Sequence, residues 1–107
     1  GIPNRRGIDY VNISDILYLY SYKKYTKVVT SSAVLVSSYG IGLFKEIITS
    51  DLFFQVHQSY IINMAHVERY LSDGYVIMSD KKEIPVARSV KKDFLTNFVM
   101  ASHRPKQ

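Results

Sequence analysis

The stretch Phe53-Phe54-Gln55-Val56-His57-Gln58-Ser59-Tyr60-Ile61-Ile62-Asn63 constrains the fold of this chain more than any other. Phe54, Val56, Tyr60 and Ile62 recur at even spacing, which predicts one apolar face of a β-strand. Gln55, His57, Ser59 and Asn63 fall on the opposite face. The segment is too polar for a plain buried strand and too apolar for a plain loop. It reads as the central strand of a β domain, supporting a core while displaying uncharged hydrogen-bonding groups suited to recognition.

The flanking segments carry the same period. Ile16-Leu17-Tyr18-Leu19-Tyr20 is aromatic, branched and apolar throughout, so it predicts a strand covered on both faces. Ser21 to Lys24 reads as a basic turn and Tyr25 to Thr30 as the returning strand of a hairpin. Shorter strands are expected at Val11 to Ile13 and Ala33 to Ser37. The first ten residues, with Pro3 and Arg5-Arg6, read as an irregular lead-in or short edge strand. Beyond Asn63, strands are expected over Val67 to Leu71 and Tyr75 to Met78. They are joined by Ser72-Asp73-Gly74, where glycine tolerates the positive φ of a hairpin turn. After a charged turn, Ile84-Pro85-Val86 makes a last strand, placed at an edge because Pro85 cannot donate to a ladder.

Helical spacing occurs twice. Leu43, Phe44, Ile47 and Ile48 predict one apolar face of a helix about two turns long, after the break at Gly40-Ile41-Gly42. Ser89 is positioned to cap a C-terminal helix whose Val90, Phe94, Leu95, Phe98 and Val99 share a face. The core then spans about residues 11–100, and the polar tail 101–107 is expected to fray. Eight or nine short strands with two small helices make a mainly β, chiefly antiparallel fold.

At 107 residues and 47% apolar content, the chain is one domain over 1–107 with a real core. It has no cysteine, hence no disulfide or thiolate metal site, which fits a reducing cytoplasm. No apolar run is long enough to cross a membrane. His57, His66 and His103 lie far apart and outside any ligand spacing, so no metal is expected. The carboxylates are scattered, and Gly40-Ile41-Gly42 lacks the rest of a phosphate loop. With no assembled catalytic site, the expectation is a non-enzyme without a cofactor.

Charge points elsewhere. Fourteen Lys plus Arg against nine Asp plus Glu give a net charge of +5, compatible with a polyanionic partner. Lys23, Lys24 and Lys27 form one knot, Lys81-Lys82 a second, and Arg88, Lys91 and Lys92 a third, all at turns or element ends. Nucleic-acid recognition needs cations for phosphates and amides, hydroxyls or guanidinium groups for base edges. Both kinds coincide at Lys23-Lys24-Tyr25, at His57-Gln58, and at Arg88 just before a helix N-terminus. Each place also has a plain structural reading. The turn lysines could be merely solvated, Arg88 could pair with Glu83 or Asp93, and a lone strand histidine more often orients backbone than touches a ligand. Two roles therefore stand for His57, a DNA contact and a structural hydrogen bond. Asn63 is assigned to fixing the turn after the strand. The helices are too far apart in sequence for a helix-turn-helix, so a nucleic-acid binder of this kind would read from loops on a β scaffold. A β protein-interaction module, suggested by nine tyrosines, is the alternative from another class.

The order Ser14-Asp15-Ile16-Leu17-Tyr18, Tyr25-Thr26, Phe54-x-Val56-His57-x-Ser59-Tyr60-Ile61-Ile62-Asn63 and Ile84-Pro85-Val86-x-Arg88 resembles the LytTR domain, from about Val11 to Phe98. That family is the DNA-binding output module of many bacterial two-component response regulators. The resemblance implies an elongated antiparallel β fold that binds double-stranded promoter DNA, with loops in successive major grooves. It further implies a second copy on an adjacent direct repeat and a receiver or sensory domain in the full-length protein. Carried over by position, the contacts fall at Lys24, Tyr25, Gln58 and Arg88, with Lys23, Lys27, Lys91 and Lys92 expected on phosphates. The chain departs from the family where arginine is frequent, at Gln55 and Gln58, where serine is frequent, at Ala87, and where glutamate is frequent, at Tyr20.

Overall fold

The computed structural model describes residues 1–102. Ten strands and two α-helices follow one another as β1 (Ile2–Asn4), β2 (Gly7–Asp9), β3 (Ile16–Tyr22), β4 (Tyr25–Thr30), β5 (Val34–Ser37), α1 (Ile41–Ile47), β6 (Phe53–His57), β7 (Tyr60–Asn63), β8 (Val67–Leu71), β9 (Tyr75–Met78), β10 (Glu83–Pro85) and α2 (Lys91–Ser102). A five-stranded sheet runs β5-β4-β3-β7-β6, a three-stranded sheet runs β10-β9-β8, and β1 and β2 form a hairpin. Every pairing is antiparallel. The molecule measures 42 × 33 × 25 Å.

The large sheet is the middle layer. On one face Tyr18, Val29, Val56 and Ile62 pack with Val76, Met78 and Ile84 of the small sheet and with Phe94 of α2. On the other, Ile16, Leu19, Val28 and Ile61 pack with Phe44 of α1 and Ile2 of β1. Burial on both sides explains why β3 is apolar over Ile16-Leu17-Tyr18-Leu19. A register shift between Ile16 and Tyr18 lets Ile16 and Leu19 share a face despite their odd spacing.

Asn63 is 1% exposed and donates from Nδ2 to the Ile16 carbonyl at 2.9 Å, while its Oδ1 accepts from Ala65 N–H at 3.0 Å. It thus fixes the turn after β7, as expected, and also locks that turn to β3. The Tyr18 hydroxyl donates to Asp80 Oδ2 at 2.8 Å, tying the large sheet to the β9–β10 turn. Burial, reinforced by that carboxylate, holds the phenol well above its ordinary value.

Four expectations are corrected. Residues 53–63 are two strands, not one, because Gln58-Ser59 form a two-residue turn. Val11 to Ile13 is no strand: Asn12 accepts from Ser14 N–H at 3.2 Å and caps a single 3₁₀ turn over Ile13–Asp15. Ser89 does not cap α2. It lies inside a 3₁₀ turn over Arg88–Val90 that follows Ala87, and α2 begins at Lys91. The inward face of α1 is Ile41, Phe44 and Ile48, at helical i, i+3, i+7 spacing, whereas Leu43 and Ile47 are exposed. Pro85 sits on an edge strand, as its missing N–H requires. Of the tail expected to fray, 101–102 continue α2, and 103–107, including His103, lie outside the described residues.

Candidate nucleic-acid interface

The β3–β4 hairpin turns at Lys23-Lys24, and its last pair is Tyr22 with Tyr25. Lys23 adopts φ 56°, a left-handed conformation that suits glycine or asparagine better than lysine. Tyrosines hold the cations in place. The Lys27 Nζ lies 4.1 Å from the Tyr22 ring centroid and 5.9 Å from that of Tyr20. Lys23 approaches Tyr22 at 5.5 Å and Lys24 approaches Tyr25 at 5.7 Å. The sequence pattern flagged the lysines but not Tyr20 and Tyr22. Their alternation on the face that carries Lys27 was the available signal.

The β6–β7 turn is built around His57. Its Nδ1 accepts from Ser59 N–H at 3.1 Å, and its ring meets Tyr60 edge-on at 5.8 Å. An accepting Nδ1 puts the proton of the neutral ring on Nε2, which remains a donor. His57 thus makes a structural hydrogen bond and keeps a second ring nitrogen free of it. Tyr60 in turn stacks on Tyr20 at 5.8 Å, so an aromatic row runs from His57 to the rings that hold Lys27. Gln58, at the tip of the turn, is exposed; its carbonyl accepts from Gln55 Nε2 at 3.4 Å.

Two backbone hydrogen bonds unite the three places singled out in the sequence. Ser21 N–H donates to Ser59 carbonyl at 3.0 Å, pinning the β3–β4 turn beside the β6–β7 turn. Ala87 N–H donates to Val56 carbonyl at 2.7 Å, setting Arg88 beside His57. Val86 N–H donates to Gly74 carbonyl at 2.8 Å, bringing the β8–β9 turn to the same end. Arg88 and Lys91 line a groove of about 370 Å³ with Ser72, Asp73, Tyr75 and Pro85.

Arg88 is exposed and forms no ion pair with Glu83, Asp93 or any other described residue. Lys91 and Lys92 open α2 on its exposed side. Lys81 and Lys82 behave differently. They occupy the β9–β10 turn, at the opposite end of the small sheet, and Lys81 is paired with Glu68 at 2.7 Å. Among the described residues no cluster of His, Cys, Asp or Glu could hold a metal.

No curated protein matches the sequence. A solved structure is similar over 89% of this chain and 91% of its own, at 23% identity and a TM-score of 0.78. It is the LytTr DNA-binding domain of a Bacillus cereus protein provisionally described as a methyl-accepting/DNA response regulator. At that identity the likeness establishes the fold. The family profile for the LytTr DNA-binding domain matches residues 6–98, nearly the whole chain. LytTR is a DNA-binding family and not a known catalytic one. With the fold and this match in agreement, the chain belongs to the LytTR family of DNA-binding domains.

Proposed function

We propose that this chain is the output domain of a bacterial transcriptional regulator and reads promoter DNA sequence-specifically with the loop end of its large sheet. The observation that carries this is the meeting of three sequence-distant places through the Ser21–Ser59 and Ala87–Val56 hydrogen bonds. Exposed Arg88 and Gln58 supply base-reading groups, a guanidinium fork suited to guanine and an amide suited to adenine. Lys24 and Tyr25 flank them. Lys23, Lys27, Lys91 and Lys92 contact phosphates, and His57 adds its Nε2–H once Nδ1 is committed to Ser59. The unit is a single domain over 1–107, working in the cytoplasm with a second copy on the adjacent repeat and a receiver or sensory domain in the full-length regulator.

Selection of duplexes from random DNA tests the proposal. The chain should enrich one recurring motif, and Gln58→Arg should change the preferred base at one position from adenine towards guanine. Recovery of no motif would refute sequence-specific reading. An unchanged motif with Gln58→Arg would remove Gln58 from the reading set.

A further inference from the structure

We propose that Arg5 and Arg6 form an additional phosphate-binding patch, gripping the DNA backbone beside the groove entered by the Lys23–Tyr25 turn. This rests on the DNA-reading function proposed above and extends its footprint to a segment whose sequence reads as a lead-in. The two arginines form the tip of the β1–β2 hairpin. Asn4 closes that tip: its Oδ1 accepts from Arg6 N–H at 2.9 Å and Gly7 N–H at 3.1 Å. Ser38 N–H donates to the Pro3 carbonyl at 3.0 Å, fastening the hairpin to the end of β5. Because Ser37 pairs with Thr26 in the large sheet, this fastening places the tip at the same end as the β3–β4 turn. A groove of about 310 Å³ is lined there by Asn4, Arg5, Arg6, Tyr25, Val36 and Ser38.

Both arginines are exposed, and neither forms an ion pair with a described residue. The nearest acid on the hairpin, Asp9, is instead engaged by Asn4 Nδ2 at 2.6 Å. Two unpaired guanidinium groups on a fastened turn suit phosphate oxygens, which they can meet in bidentate fashion. Tyr25, expected at the DNA from the other side, would be shared between the two turns.

The test is a fluorescence-anisotropy titration of the full chain with a selected duplex at a series of salt concentrations. Arg5→Gln/Arg6→Gln should bind more weakly and flatten the log–log salt slope by about 1.8. Between about 50 and 200 mM salt it should then lose roughly tenfold less affinity than the parent chain. Arg5→Lys/Arg6→Lys should restore most of the slope, which a merely structural role would not do. Lys81→Gln/Lys82→Gln removes the same charge from the far end and should leave the slope unchanged. The inference is overturned if Arg5→Gln/Arg6→Gln keeps the parent slope, or if the far-end pair flattens it equally. Absence of any binding by the parent chain would overturn the DNA reading itself, and this patch with it.

Discussion

Arg88→Ala is expected to weaken specific DNA binding by about 1–3 kcal/mol, a loss of roughly fivefold to 150-fold. The melting temperature should stay unchanged. Arg88 is exposed and has no ion-pair partner among the described residues, so its removal leaves no orphaned charge and empties no core. Its position is nevertheless tightly set, since the preceding Ala87 N–H is held by the Val56 carbonyl at 2.7 Å. Arg88→Lys distinguishes recognition from attraction. It keeps the charge, hence the salt slope, but loses the planar fork and with it the base preference. Anisotropy against the selected duplex and a mismatched one would measure both effects. Equal losses on the two duplexes with Arg88→Lys would assign Arg88 to the phosphates.

Phe94→Ala is expected to cost about 3–5 kcal/mol of folding stability, a large share of what a domain of this size possesses. Phe94 is fully buried, lies edge-on to Phe54 at 5.9 Å and stacks on Phe98 at 5.7 Å. It also faces Tyr70 at 5.8 Å. This one ring therefore joins α2 to both sheets. Because α2 directly follows the turn containing Arg88, loosening it should also blunt DNA binding at temperatures where the domain remains folded. Urea unfolding should show a lower midpoint with little change in slope. A midpoint matching the parent chain would mean that α2 packs less tightly than the structure indicates.

The β character and the clusters of cations at turns were legible in the sequence because both are local signals. Period-two apolar runs mark the strands, and cations at turns mark the loops. The fold-back at Gln58-Ser59 was not legible, for a reason of parity. The two-residue turn pairs His57 with Tyr60 and alone would exchange the faces, but a register shift between Gln55 and His57 restores them, so Phe54 pairs with Ile62 across the hairpin. A straight strand would show the same alternation. Ser89 misled because Ser is a favoured cap, yet the chain enters α2 through a 3₁₀ turn instead. The face of α1 was misread because Ile41 lay within the glycine-rich break rather than in the counted helix. The joining of three distant places had no sequence signature at all, because it depends on main-chain hydrogen bonds that any residue except proline can donate. Only the family resemblance brought those places together before the structure did.

Whether these places form one DNA-binding surface can be seen directly in solution. The most direct test maps backbone amide shifts by NMR as a selected duplex is added to the labelled chain. The largest changes should fall together at Lys23–Tyr25, His57–Ser59 and Arg88–Lys92, with the Thr30–Ala33 and Ser79–Lys82 turns quiet. Changes concentrated at those two distant turns, or confined to one of the three loops, would contradict a single surface.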